Sequence, residues 1–289
     1  MQDLKTKIFL DSADPQETFE VFNLLGFLDG QTTNPTLISK NPEIQKRLQK
    51  GEKLKKEEVY NFYKSVIEQI TKIIPDGLIS IEVYADKNTP AKEMINQAIQ
   101  MKDWAKNSYI KLPTTKEGIK TAIELVKRGV NVNMTLCFSQ EQAAAVHCAL
   151  NNIVQKEWQV LISPFIGRLD DRGVNGMDLI KNILKMYKDN DSKVKVLAAS
   201  IRNIDHLLYS IHLECPILTS PFKVLKEWAQ LNLILPDENY KYHKEKELSP
   251  LPYQELDLHK NWEEFNIYHE LTDIGLEKFA NDWNSLIGS

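Results

Sequence analysis

The sequence predicts an α/β protein built as a closed (β/α)8 barrel with a C-terminal helical extension. Two patterns predict it. Eight short apolar runs alternate with longer stretches of helical spacing. No run is followed by the GxGxxG turn that often accompanies an open, doubly wound sheet. Strand-then-helix order repeated eight times gives a parallel sheet covered by helices, and closing that sheet gives the barrel. The 289 residues suit one such unit, since these barrels often run to ~250 residues.

The first run is 7–13 (KIFLDSA), followed by helical spacing over 15–25, with Phe19, Phe22 and Leu25 on one side. The second is 28–34 (LDGQTTN). There Asn34 offers a capping side chain directly before Pro35, so a helix should begin. A helical region fills 41–74 and leads to the third run, 78–85 (LISIEVYA). The fourth, 109–113 (YIKLP), precedes a helix over 117–127 that Gly129 closes. The fifth, 130–137 (VNVNMTLC), precedes a helix over 140–150 with Ser139 and Gln142 forming a capping box. The sixth, seventh and eighth are 160–167, 194–201 and 215–220, with helical patterns over 176–188 and 203–211 between them. Residues 1–235 are thus read as the barrel. The polar segment 236–260, with Pro236, Pro250 and Pro252, reads as an extended connector. Residues 262–287 read as one amphipathic helix carrying Phe265, Tyr268, Leu271, Leu276, Phe279 and Trp283. Such a face needs cover, so the 236–289 extension is expected to pack across the barrel mouth or on a neighbouring subunit, within the same single domain.

Composition excludes several classes. A net charge of -4 lacks the basic surplus of a nucleic-acid footprint. No apolar run approaches the ~20 residues that span a bilayer, and the N-terminus has no apolar signal region. Cys137, Cys148 and Cys215 form no CxxC, which suits a reducing compartment. A soluble, cytoplasmic protein with no nucleic-acid or membrane partner is expected. The six histidines show no HxxxH spacing, so no metal is expected. Asp170 and Asp171, beside Arg172 and Gly173, read as a loop of solvated charges.

Barrel strands should be rich in Val, Ile and Leu. The exceptions are Asp11, Thr32, Thr33, Asn34, Glu82, Lys111, Asn133, Thr135, Ser163, Arg168, Ser200 and Arg202. They fall on seven of the eight runs, mostly near the C-terminal ends. In barrel enzymes that end supplies the catalytic groups. Lys111 stands between Ile110 and Leu112. A lysine in water has a pKa of ~10.4, so about one amine in a thousand is neutral near physiological pH. Burial lowers such a value and ionised carboxylates raise it again, so Glu82 and Asp11 would act against burial. A structural Lys111–Glu82 ion pair on adjacent strands would leave the same trace in the sequence. Arg168 and Arg202 follow the sixth and seventh strands, where barrels often bind phosphate, and arginine suits bidentate phosphate contacts. The plainer alternative is two surface arginines.

Five segments in order resemble the transaldolase family. They are residues 30–38 (GQTTNPTLI, with Thr36 where the family usually has Ser), 109–118, 133–143, 163–168 (SPFIGR) and 198–203 (AASIRN). The resemblance covers essentially the whole chain, and residues 275–282 are similar to the C-terminal helix of the longer members. It implies the TIM barrel and a transferase that moves a dihydroxyacetone unit between sugar phosphates, within the pentose phosphate pathway, without cofactor or metal. Lys111 would be the Schiff-base nucleophile. Glu82 would move protons through a water held with Thr135. Asp11 would be the acid/base at the C4 hydroxyl. Asn34, Asn133 and Ser163 would hold the hydroxyls of the three-carbon unit. Arg168, Ser200 and Arg202 would grip the phosphate, and Thr32 and Phe165 would line the pocket. An aldolase of the same family that splits fructose 6-phosphate is the alternative. Such relatives resemble shorter chains with Tyr after Ser/Ala-Pro and Gln at the strand-three position, where this chain has Phe165 and Glu82. A catalytically silent binding barrel is the remote alternative. The resemblance also implies a homo-oligomer, because short members form rings and long ones dimerise.

Overall fold

A computed structural model describes residues 4–243 and 247–288. Eight parallel strands close into a barrel in sequence order. They are β1 (Lys7–Asp11), β2 (Gly30–Thr32), β3 (Leu78–Glu82), β4 (Ser108–Pro113), β5 (Val132–Cys137), β6 (Val160–Pro164), β7 (Lys195–Ala198) and β8 (Ile217–Ser220). β1 pairs with β8 from Lys7↔Ile217 to Leu10↔Ser220, and this closes the ring. Low in the barrel the Phe9 ring takes the space beside Gly30, where an added Cβ would lie 2.6 Å from the ring. Apolar residues below and polar residues above therefore share one lumen.

The helices are α1 (Pro15–Leu25), α2 (Pro35–Ser39), α3 (Pro42–Gln49), α4 (Lys56–Ile73), α5 (Ala91–Met101), α6 (Lys116–Lys127), α7 (Gln140–Leu150), α8 (Ile166–Asp171), α9 (Gly176–Asp189), α10 (Ile204–His212), α11 (Phe222–Gln230) and α12 (Glu270–Asn284). Local chemistry sets their ends. Asn34 Oδ1 accepts from the Leu37 N–H and Pro35 opens α2. Ser139 and Gln142 form the capping box of α7. Gly129, at φ 78°, follows the end of α6 in the left-handed region.

Several elements differ from the sequence reading. The strands stop two or three residues earlier at β1, β2 and β3, because those residues turn out of the sheet to cap helices and line loops. The sixth strand ends at Pro164. The residues beyond it form α8, so Arg168 and Asp170 lie on a helix. Region 41–74 is two helices, and between them Leu54 bridges to Ile287. On α1 the buried face is Thr18, Val21 and Leu25, while Phe19 and Phe22 are exposed. Residues 262–287 are not one helix. A 3-10 turn (Trp262–Glu264) is followed by extended chain, and α12 begins where the His269 side chain accepts from the Leu271 N–H. Tyr268, in the extended part, is exposed.

Connector residues outside 244–246 run back around the barrel wall. Tyr240 donates to Asp205, Ser249 bridges to Val174, and Asn182 and Gln140 hold the backbone at Leu251 and Gln254. This path returns the chain to the C-terminal end of the strands. There α12 packs on α2 and the end of β5. Thr272 Oγ1 donates to Leu136 O at 2.9 Å and accepts from Gln142 Nε2 at 2.9 Å. At its far end Trp283 is buried among Tyr60, Tyr63 and Tyr84. Among the described residues no helix is long and apolar enough to cross a membrane.

Candidate active site

Strand register assembles the site. Asp11 pairs with Thr32, Glu82 with Lys111, Lys111 with Asn133, and Pro113 with Thr135. Side chains alternate along a strand, so polar residues at matching registers face the same lumen. Above them a cavity of about 470 Å³ opens at the C-terminal end of the barrel. Of the residues singled out from sequence, Asp11, Thr32, Asn34, Lys111, Thr135, Ser163, Phe165, Arg168, Ser200 and Arg202 line it.

Lys111 is 3% exposed. Its Nζ donates to Thr33 O at 2.9 Å and lies 3.0 Å from Glu82 Oε2. The ion pair that sequence left as an alternative is therefore present, and it sits on the cavity floor. Glu82 is 4% exposed and lies beneath the lining. Burial pushes its carboxyl above the ordinary value, Lys111 opposes that, and Asp11 adds to it. The Glu82 N–H donates to Tyr63 Oη at 3.0 Å, and Tyr63 bonds Thr33 Oγ1 at 2.5 Å, which fixes the backbone around the amine. Thr135 Oγ1, a buried atom of the cavity lining, has no hydrogen-bond partner among the described residues, whereas Glu82 Oε2 has the Lys111 amine. Buried polar atoms in native proteins rarely stay unpaired, so Thr135 Oγ1 is available to bond something that enters.

Thr135 owes its position to a bulge. The β5–β6 register shifts between Met134 and Cys137, and Leu136 sits at φ 60°. A branched residue in that region is strained, and the neighbouring chain must hold it there. Thr272 of α12 supplies the brace through its bond to Leu136 O.

Asp11 is half-buried, and its open side is the cavity. Burial pushes its carboxyl up. Lys111, a hydrogen bond from Thr32 Oγ1 (2.7 Å) and the two arginines push it down, and the balance is upward. Thr32 Oγ1 also lies 2.7 Å from Thr219 Oγ1 on β8. Asn133 is fully buried below the lining. It accepts from Ser163 Oγ at 2.7 Å and donates to Ser80 Oγ at 3.2 Å. Ser163 is thus presented to the cavity by Asn133.

On the opposite wall, Arg202 is about half exposed and pairs with Asp171 at 3.1 Å, so the surface-arginine alternative holds for it in part. Its N–H donates to His206 Nδ1, and His206 Nε2 faces Asp170 Oδ2 at 2.8 Å. Asp170 is therefore no solvated loop residue. It is buried on α8 and also accepts the Gly176 N–H, whereas Asp171 does face solvent. Ser200, at φ 61°, turns the chain beneath Gly167, where an added Cβ would meet Ser200 O at 2.3 Å and Arg202 Nε at 2.4 Å. Arg168 is half-buried with no carboxylate or hydrogen-bond partner among the described residues. Burial and Arg202 lower its pKa, but a guanidinium stays charged.

Sequence reading passed over Thr219, although the rule that found the others, a polar residue near a strand's C-terminal end, applies to it. It also assigned nothing from α12 to the site, yet Leu271, Ile274, Lys278 and Phe279 line the cavity. The amphipathic pattern leaves the barrel mouth and a neighbouring subunit both open as cover for that helix and does not say which of its residues would meet the cavity. Among the described residues no cluster of His, Cys, Asp and Glu could hold a metal.

Comparison with known proteins shows the family of the chain. Residues 8–289 match the family described as Transaldolase/Fructose-6-phosphate aldolase. A "Probable transaldolase" from Dehalococcoides mccartyi is 34% identical over 280 residues, covering 97% of this chain and 99% of the relative. Another from Methanococcus maripaludis is 34% identical over 279 residues, covering 96% and 98%. Among solved structures, 3-hexulose-6-phosphate synthase from Salmonella typhimurium overlaps 79% of this chain and 98% of its own, at 12% identity and a TM-score of 0.48. That likeness is too distant to bear on activity.

Proposed function

Since the chain belongs to the transaldolase/fructose-6-phosphate aldolase family, we propose that it is a transaldolase that moves a dihydroxyacetone unit on Lys111. The unit would pass from sedoheptulose 7-phosphate or fructose 6-phosphate to glyceraldehyde 3-phosphate or erythrose 4-phosphate. The observation that carries the reading is a buried lysine amine at the floor of an arginine-walled cavity, 3.0 Å from a carboxylate whose own pKa burial raises.

This reading assigns a group to each step. Glu82 takes a proton from the Lys111 ammonium, and its raised pKa favours that. The neutral amine attacks the ketose carbonyl at C2. Thr135 Oγ1, unpaired among the described residues, and Glu82 Oε2, partnered by the Lys111 amine, hold the water that carries protons during carbinolamine formation and dehydration. The resulting iminium is an electron sink. Asp11 removes the C4 hydroxyl proton, the C3–C4 bond breaks, and the electron pair passes to the nitrogen as an enamine. Asn34 and Ser163 bind the hydroxyls of the three-carbon unit, with Asn133 orienting Ser163. Arg168, Arg202 and Ser200 bind the phosphate. The aldose leaves, an acceptor aldehyde takes its place, and the steps reverse.

Transfer is favoured over release of free dihydroxyacetone by Phe165. Its ring lies 5.7 Å from that of Phe138 and 5.2 Å from the Arg168 guanidinium, and it has no hydroxyl to deliver a proton to the enamine. With fructose 6-phosphate and erythrose 4-phosphate together, a coupled assay is expected to give transfer at least ~10-fold faster than dihydroxyacetone release. Release that outpaces transfer would make the chain an aldolase instead.

A further inference from the structure

We infer that the C-terminal helix is part of the phosphate grip, with Gly275 and Phe279 acting as positioning residues for Arg168. This rests on the reading that Arg168 meets the substrate phosphate.

Arg168 is held in an unusual way. Its guanidinium carbon lies 5.2 Å from the Phe165 ring centre and 5.4 Å from the Phe279 ring centre. The cation is therefore gripped by two aromatic residues, one entering α8 and one from α12. A carboxylate would hold the same cation, but it would occupy the N–H donors and cancel the charge. Aromatic faces attract the cation and accept none of its in-plane hydrogen bonds, so all the donors remain for an anion. Arg202 shows the contrast: its guanidinium is already paired with Asp171.

Gly275 forms the remaining wall. A Cβ there would lie 2.5 Å from Arg168 Nη1 and 2.7 Å from Leu136 Cδ2, so the helix backbone itself approaches the guanidinium. The seat of α12 does not depend on this contact, because Thr272 and Trp283 anchor the helix on either side of it. The extension thus contributes to specificity for phosphorylated sugars, beyond covering the barrel.

The test compares wild type, Phe279→Leu, Phe279→Tyr, Gly275→Ala and Arg168→Ala in the full chain. Two quantities are read: KM for fructose 6-phosphate, and the inhibition constant of inorganic phosphate. Aldol addition of free dihydroxyacetone, as an unphosphorylated donor, to unphosphorylated glyceraldehyde serves as the reference, since neither partner carries a phosphate. Phe279→Leu and Gly275→Ala are expected to raise both constants together by roughly tenfold, several times more than they affect the unphosphorylated donor. Phe279→Tyr, which keeps the ring, should restore both to within about threefold of wild type. A loss shared equally by both donors, or constants that do not move, would overturn the inference. If Arg168→Ala itself leaves the phosphate constant unchanged, the phosphate-binding role of Arg168 fails and the inference fails with it. If Arg168→Ala raises both constants while the α12 variants do not, the role of Arg168 stands and only that of the helix is lost.

Discussion

Lys111→Arg is expected to abolish turnover, with a loss on the order of 10⁴–10⁶ in kcat. Arginine keeps a positive charge beside Glu82 but never yields a neutral nucleophile, because a guanidinium does not deprotonate in proteins. The substitution therefore separates chemistry from electrostatics. Lys111→Ala should be equally inactive. It also leaves the buried Glu82 carboxyl without its partner, and that group then takes up a proton more readily. Steady-state transfer assays on purified variants, with melting curves to verify folding, check this. Retention of more than about a hundredth of wild-type activity by a folded Lys111→Arg enzyme would exclude covalent catalysis by this residue.

Asp11→Asn is expected to lower kcat by ~10²–10⁴, the range for loss of a positioned acid/base, while leaving the melting temperature unchanged or higher. Burial raises the Asp11 carboxyl above its unfolded value, so the folded state binds more protons than the unfolded state. Stability from this group is therefore lost as pH rises from the ordinary carboxylate value toward the folded one, and the full cost remains above that window. An asparagine at this position has no charge to desolvate. Burial raises both Asp11 and Glu82, and Asp11 adds to the rise of Glu82, so the acid limb of the wild-type profile should lie above the ordinary carboxylate range of ~4. A pH profile of kcat/KM, with thermal melts from pH ~4 to ~8, reads both effects. A fully active Asp11→Asn enzyme, or one that melts markedly lower at neutral pH, would contradict the assignment.

Much of the barrel was legible because its code is local. Alternating runs and caps such as Asn34–Pro35 and Ser139–Gln142 mark elements without long-range information. The site floor was legible because charge is out of place in an apolar strand, as at Lys111 and Glu82. The misses arise where short or distant structure decides. Helix α8 has six residues, too few to show periodicity, so Arg168 and Asp170 were read as strand end and loop. The depth of Asn133 follows from lumen packing, which strand alternation alone does not give. Gly275 and Phe279 stand more than 100 residues from Arg168 in sequence, and their meeting depends on a connector that runs around the barrel wall before α12 crosses the mouth. An amphipathic pattern shows that a helix has a face to bury, without naming its partner.

The most direct measurement is reductive trapping. Wild-type protein is incubated with fructose 6-phosphate and borohydride, then digested and mapped by mass. A three-carbon adduct on the peptide containing Lys111, absent without sugar, is the expected result. An unmodified Lys111 in a protein that nevertheless turns over substrate would contradict the account.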